Sequence, residues 1–171
     1  MKSSSDTINE KDFMRAYDEY SQAIFRYIFL KISDRERALD LSQETFTRAW
    51  ESIIQGTHVI NMKAFLYRIA RNIVIDEYRK KKSESLDALF EEGYDFRDTK
   101  APEVIDQIDG GILLKQLEGL EEKYRDVLMM RYVEDLSIKE IARITGEAEN
   151  TVSVRIHRAI AKARTLFNQP E

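Results

Sequence analysis

Apolar residues at helical spacing open the chain. Phe13, Tyr17, Tyr20, Ile24, Tyr27 and Ile28 recur every three or four positions, and Asn9 stands where a side-chain oxygen can cap the first turn. A second helix is expected after Asp34, with Ala38, Leu41, Ala49, Trp50 and Ile53 turned inward. Gly56 breaks the pattern in residues 55–61, QGTHVIN, and Asn61 can then cap a third helix in which Met62, Leu66, Ile69, Ala70 and Ile73 form one apolar stripe. These three helices predict an N-terminal bundle over residues 1–82. From residue 83 to 111 the periodicity weakens and Gly93, Pro102, Gly110 and Gly111 punctuate the chain, which reads as a linker with room for a short helix. Leu113, Leu114, Leu117 and Leu120 start a second apolar pattern, continued by Tyr124, Val127, Leu128 and Tyr132. It predicts a C-terminal bundle over residues 112–171 that ends near Phe167. The fold class is all-α, two small helical bundles joined by a flexible linker.

Within the second bundle, Ser137 and Glu140 fit a capping box, so a helix should start at Ile138 and bury Ile141 and Ala142. Ala142 is small, as a close helix crossing requires, and Gly146 suits a left-handed turn four residues on. A further helix from about Asn150 would bury Val152, Ile156, Ala159, Ile160 and Ala163 and leave Asn150, Thr151, Val154, Arg155, Arg158 and Lys162 outside. That is the form of a helix-turn-helix, whose second helix enters the major groove with short polar groups at base edges and cations at phosphates. The plain alternative is a helical hairpin with a solvated face. Glu147 stands where an apolar residue usually packs in such a turn. Ala148 stands where a serine commonly caps, which leaves the cap to Glu149 or Asn150.

Composition narrows the classes. The sequence has 171 residues, 43% hydrophobic and 34% charged, with two prolines, which favours wet-faced helices over sheets. It has no cysteine, and its two histidines, His58 and His157, are far apart, so neither a disulfide nor a metal centre is expected. No apolar run suggests a signal peptide or membrane span, so a cytoplasmic protein without membrane insertion is expected. No Gly-rich phosphate loop, Cys nucleophile or ligand cluster points to an enzyme, and no cofactor is implied.

The net charge of -4 argues at first against a nucleic-acid partner, but the charges are segregated. Residues 61–82 carry seven cationic and two acidic side chains, whereas residues 83–111 carry two and nine. The linker is thus an acidic strip between a basic third helix and a second basic island from Arg143 to Arg164. On the third helix Arg68, Arg71, Asn72, Ile75, Arg79 and Lys82 share one face, beside a row of Tyr67, Arg71, Val74 and Tyr78. Cations next to aromatics suit an unstacked strand, with guanidiniums on phosphates and rings against bases. Asp40, Gln43 and Glu44 form a small acidic and amide patch on the outer side of the second helix. The plain alternative for either surface is a solvated helix face, with Tyr67 or Tyr78 simply packing.

Three segments in order, ALDLSQETFTRAWE, FLYRIARNIVIDEYRKKK and YRDVLMMRYVEDLSIKEIARITGEAENTVSVRIHRA, resemble the extracytoplasmic-function (ECF, group 4) sigma factors of bacterial RNA polymerase. The likeness covers about residues 10–167. It implies a promoter-specific initiation factor with region 2 in the first bundle and region 4 in the second. Asp40, Gln43 and Glu44 match the D-L-x-Q-E motif that docks on the coiled coil of the polymerase largest subunit. The third helix matches the part that captures the melted minus-10 strand, which assigns Arg68, Arg71, Asn72, Tyr78, Arg79 and Lys82. His58 comes with the loop Gln55–Asn61, the place for a flipped base, although this loop carries no aromatic. Asn150, Thr151, Val154, Arg155, Arg158 and Lys162 fall on the helix that reads the minus-35 duplex, in a bundle that docks on the flap of the second-largest subunit. An anti-sigma factor is the implied regulator. The rival reading is a stand-alone helix-turn-helix regulator, which explains residues 112–167 and leaves the first half without a role.

Overall fold

The computed structural model describes residues 8–91, 117 and 119–167, and every described regular element is helical. The chain divides into two compact units, residues 1–100 and 101–171.

In the first unit, α1 (Glu10–Ile32), α2 (Arg35–Ile54) and α3 (Met62–Glu91) pack pairwise against one another. Local sequence sets the boundaries. Asn9 accepts the Asp12 N–H and Asp12 answers with its carboxylate, closing a capping box at the head of α1. Ser33 ends that helix in the left-handed region, at φ 54°. Asp34 caps α2 through the Arg37 N–H, and Asn61 caps α3 through the Ala64 N–H at 2.8 Å. The core is the predicted one for the most part: Phe13, Ile24, Tyr27, Ile28, Ala38, Leu41, Ala49, Ile53, Leu66, Ala70 and Ile73 are buried. Tyr17 departs from the expectation. It is 42% exposed, with its ring edge-on to Phe46 at the rim rather than inside. Helix α3 runs to Glu91, nine residues past Lys82 and into the segment read as linker.

Across the first unit, Arg37 on α2 grips Glu77 on α3 through Nε and Nη2, at 2.9 and 2.6 Å. The Glu77 side chain is only 9% exposed and that of Arg37 36%. The hydrogen bond from Arg37 holds the Glu77 carboxyl below its ordinary range, against the opposing push of burial.

In the second unit, α4 (Glu122–Leu128) passes into a wider π-helical turn at Met129–Val133, followed by α5 (Ile138–Thr145) and α6 (Glu149–Phe167). The wide turn shows in the Glu134 N–H, which donates to the Met129 carbonyl five residues back. It buries Met129 and Met130 and leaves Tyr132 59% exposed, so the 3.6-residue spacing that turned Tyr132 inward fails there. Leu117 and Leu120 are buried, as the apolar pattern requires; Leu113 and Leu114 lie outside the described residues. Helix α5 opens on the expected box, with Ser137 and Glu140 each bonded to the other's backbone N–H. It ends on Gly146 at φ 76°, a conformation that a Cβ would strain.

Helix α6 begins at Glu149, one residue before the predicted start, which corrects the expected cap. Ala148 precedes the helix and its carbonyl takes the Val152 N–H, but alanine has no side-chain acceptor for the other first-turn donors. Ala148→Ser is therefore expected to stabilise the unit by about 1 kcal/mol. A chemical-denaturation midpoint no higher than that of the parent protein would refute it.

Candidate nucleic-acid interfaces

On α3 the cations sit where the sequence put them. Arg68, Asn72, Arg79 and Lys82 are exposed, and Arg71 and Ile75 are half-buried. Arg79 lies 3.7 Å from Asp76, an open contact of the kind water screens readily. The aromatics beside them are placed differently. Tyr67 is 1% exposed, with its ring edge-on to Tyr27 at 5.3 Å, so it belongs to the core and cannot receive a base. The Tyr78 hydroxyl donates to the Lys31 carbonyl at the end of α1, and the residue is 39% exposed. The interleaved row thus reduces to cations with one tethered tyrosine. His58 is exposed in the preceding loop. There the structure adds what the sequence reading passed over: Ile54 and Ile60, 66% and 78% exposed, flank the loop and are apolar groups that could lie against a base.

The acidic and amide patch on α2 is present but uneven. Asp40 and Gln43 are exposed, whereas Glu44 is half-buried and paired with Arg48 at 2.5 Å. Leu39, 44% exposed, adds an apolar group beside Asp40. Gln43 also borders a groove of about 420 Å³ that Phe13, Met14, Tyr17, Phe46 and Trp50 line from α1 and α2. The sequence did not reveal this groove, because aromatics at helical spacing read as core from either helix alone.

In the second unit the α5–turn–α6 geometry leaves Asn150, Thr151, Val154, Arg158 and Lys162 exposed on the outer side of α6, and Arg155 half-buried among them. Five of these, Asn150, Thr151, Val154, Arg155 and Arg158, line a concavity of about 430 Å³ with Lys123 and Tyr124 of α4. The two α4 residues had no signal in the helix-turn-helix pattern. Glu121, just ahead of α4, receives Lys123 at 2.8 Å and Lys162 at 3.1 Å, and both ammonium groups lie 5.0 Å from the Tyr124 ring centroid. The bonds from Lys123 and then Lys162 lower the Glu121 pKa, and the bond to Glu121 raises that of Lys123. Arg155 is held by Glu147 of the turn. Short polar groups at the head of α6 and cations further along suit a duplex groove. Among the described residues no helix is long and apolar enough to cross a membrane.

Comparison with known proteins covers both units. The family profile of sigma-70 region 2 matches residues 16–84 and that of sigma-70, region 4 matches residues 111–162. The ECF RNA polymerase sigma factor SigL of Mycobacterium tuberculosis is 31% identical over 162 residues, 94% of this chain and 92% of its own length. The ECF sigma factor SigW of Bacillus subtilis is 34% identical over 158 residues, 85% of this chain and 83% of its own. BldN of Streptomyces coelicolor is 31% identical over 160 residues, and the match spans 58% of BldN's length. Among solved structures, Bartonella quintana RpoE in complex with the anti-sigma factor NepR has a similar fold, with TM-score 0.70, 24% identity, and 94% of this chain and 99% of that one covered. CnrH, in complex with the cytosolic domain of CnrY, gives TM-score 0.70 at 22% identity, over 94% of this chain and 90% of that one.

Proposed function

The chain belongs to the ECF RNA polymerase sigma factors, and from that premise we propose how its two units divide the work of promoter recognition. As a sigma factor it directs promoter-specific transcription initiation, and the region 2 match over residues 16–84 disfavours a stand-alone regulator, which would leave that half idle. Residues 1–82 bind polymerase and the opened minus-10 strand, residues 83–111 connect, and residues 112–171 read the minus-35 duplex. The protein is a group 4 member that works in the cytoplasm and makes no bond itself, since RNA synthesis is the polymerase's chemistry.

The observation that carries this reading is the pair of separate cationic surfaces, one on each unit. One is a long helix presenting Arg68, Asn72, Arg79 and Lys82; the other is a turn-positioned helix presenting Asn150, Thr151 and Arg158. In the first, Arg71 and Tyr78 offer a cation and a tethered ring to the opened strand, and His58 with the exposed Ile54 and Ile60 offers a place for an unstacked base. In the second, Val154 is 48% exposed, an apolar contact for a thymine methyl, while Arg155 and Lys162 contact the duplex when released from Glu147 and Glu121. Asp40, Gln43 and Glu44 form the docking patch for the largest-subunit coiled coil, and the second unit docks on the flap of the second-largest subunit. The complex of Bartonella quintana RpoE with the anti-sigma factor NepR supports a protein inhibitor of the same kind for this chain.

Reconstitution with core RNA polymerase and mapping of transcription starts tests the whole reading. Starts absent from core alone, sharing two upstream elements, are the expected outcome, and no new starts would refute it. For the docking patch, Asp40→Ala with Gln43→Ala should weaken association with core about tenfold, as loss of two exposed polar contacts implies. Both side chains are exposed, so the melting temperature should not move. Undiminished association in a competition binding assay would remove the assignment.

A further inference from the structure

Arg155 does not face solvent with an open guanidinium. Its Nη1 donates to Glu147 Oε2 and its Nη2 to Glu147 Oε1, each at 2.5 Å, with the two side chains 24% and 29% exposed. The planar guanidinium offers its terminal pair of nitrogens as a two-pronged donor, and that edge fits a carboxylate, a phosphate or the O6 and N7 acceptors of guanine. Glu147 therefore occupies the terminal edge of Arg155, one of the two forks that DNA could use. It does so from the turn, at the position where an apolar residue would otherwise pack. The same concavity is lined by Arg158, Asn150 and Thr151.

We infer that Glu147 is an affinity-setting residue of the duplex-reading face: it holds the terminal fork of Arg155, which reaches the duplex only by exchanging the carboxylate for acceptors on DNA. The inference rests on α6 being the helix that reads duplex DNA. On arbitrary sequence the exchange replaces one ion pair with another and leaves a bare carboxylate facing phosphates, so little is gained. Where a guanine stands in register, its two acceptors take the fork instead, at the same cost of a bare carboxylate. A carboxylate placed this way lowers affinity on every duplex that has to displace it.

The test uses the full chain and two labelled duplexes, one of arbitrary sequence and one carrying the upstream element found by start mapping, across a salt series. Glu147→Gln should bind the arbitrary duplex roughly fivefold more tightly, the scale of one partly exposed ion pair. The slope of log affinity against log salt should steepen by about 0.9, one added phosphate contact. Affinity for the promoter duplex should rise by at least as much, since the same pair has to be broken there. The gain should vanish in Glu147→Gln with Arg155→Ala. Glu149→Gln, which removes the same charge from the first turn of α6, should not reproduce it. An unchanged affinity for either duplex, or a gain that survives without Arg155, overturns the inference. The underlying reading has its own arm: Arg158→Ala in the parent background must weaken duplex binding, and if it does not, α6 is not the reading helix whatever Glu147 does.

Discussion

Glu77→Ala is expected to destabilise the first unit by about 3 kcal/mol, the low end of the cost of breaking a buried ion pair. The estimate is set by asymmetry. Glu77 is nearly sealed from water while Arg37 is about one-third exposed, so the arginine left behind can be partly hydrated. The pH dependence gives the sign. The native carboxyl titrates below its ordinary range because Arg37 hydrogen-bonds the charged form. Its contribution is therefore complete above the ordinary glutamate range and is lost as pH falls toward the lower native value. Glu77→Ala should show its full deficit near neutrality and a shrinking one in acid, measured by denaturation of the full chain at a series of pH values. A deficit independent of pH would mean that packing rather than the ion pair supplies the stability. A functional consequence is expected as well. Asp40 and Glu44 already act on the Arg37 charge from the same helix, so an Arg37 released from Glu77 would be drawn toward the docking patch. At a temperature where the variant remains folded, its association with core polymerase should still be weakened.

That ion pair also marks where sequence reading stops. Features decided within one turn of chain were legible: the caps at Asn9, Asp34 and Asn61, the Ser137–Glu140 box, and the left-handed Gly146. So was the sorting of most apolar residues into core, since amphipathic spacing is itself local. Tyr17 and Tyr132 were misplaced for different reasons. Tyr17 sits at helical spacing with core residues, but Phe46 and Trp50 leave it at a groove edge, which depends on how α2 crosses α1. Tyr132 was displaced by a π-helical turn that the spacing does not announce. Tyr67 was grouped with a binding row although Tyr27, forty residues earlier, claims its ring. For the candidate surfaces, the sequence named Arg158 and Lys162 of α6 correctly as outward-facing, whereas Arg155 is half-buried. It could not show that Glu147 and Glu121 hold Arg155 and Lys162, because those partners meet only after the turn and the bundle have formed.

The corresponding test in the second unit is Ala142→Leu, expected to cost about 3 kcal/mol, the upper part of the usual range for overpacking. Ala142 is 8% exposed, on a helix of eight residues that contacts α6 and the wide turn. Its backbone carbonyl accepts the N–H groups of both Gly146 and Glu147, at 2.9 and 3.1 Å, so this one residue anchors the turn. Leucine adds three carbons where interiors are packed to crystal-like density, and a short helix has few contacts with which to resist displacement. Relief comes by moving α5 away from α6, which loosens the turn and with it the placement of Asn150, Thr151 and Arg158. Hydrogen exchange on the full chain should then lose protection across residues 138–167 while residues 10–82 keep theirs. Holoenzyme carrying the variant should still assemble through the first unit but initiate poorly at promoters that depend on the upstream element. If protection in α5 and α6 is retained and initiation stays normal, the small residue at position 142 is incidental, and the close crossing that positions the reading helix must be maintained by other side chains.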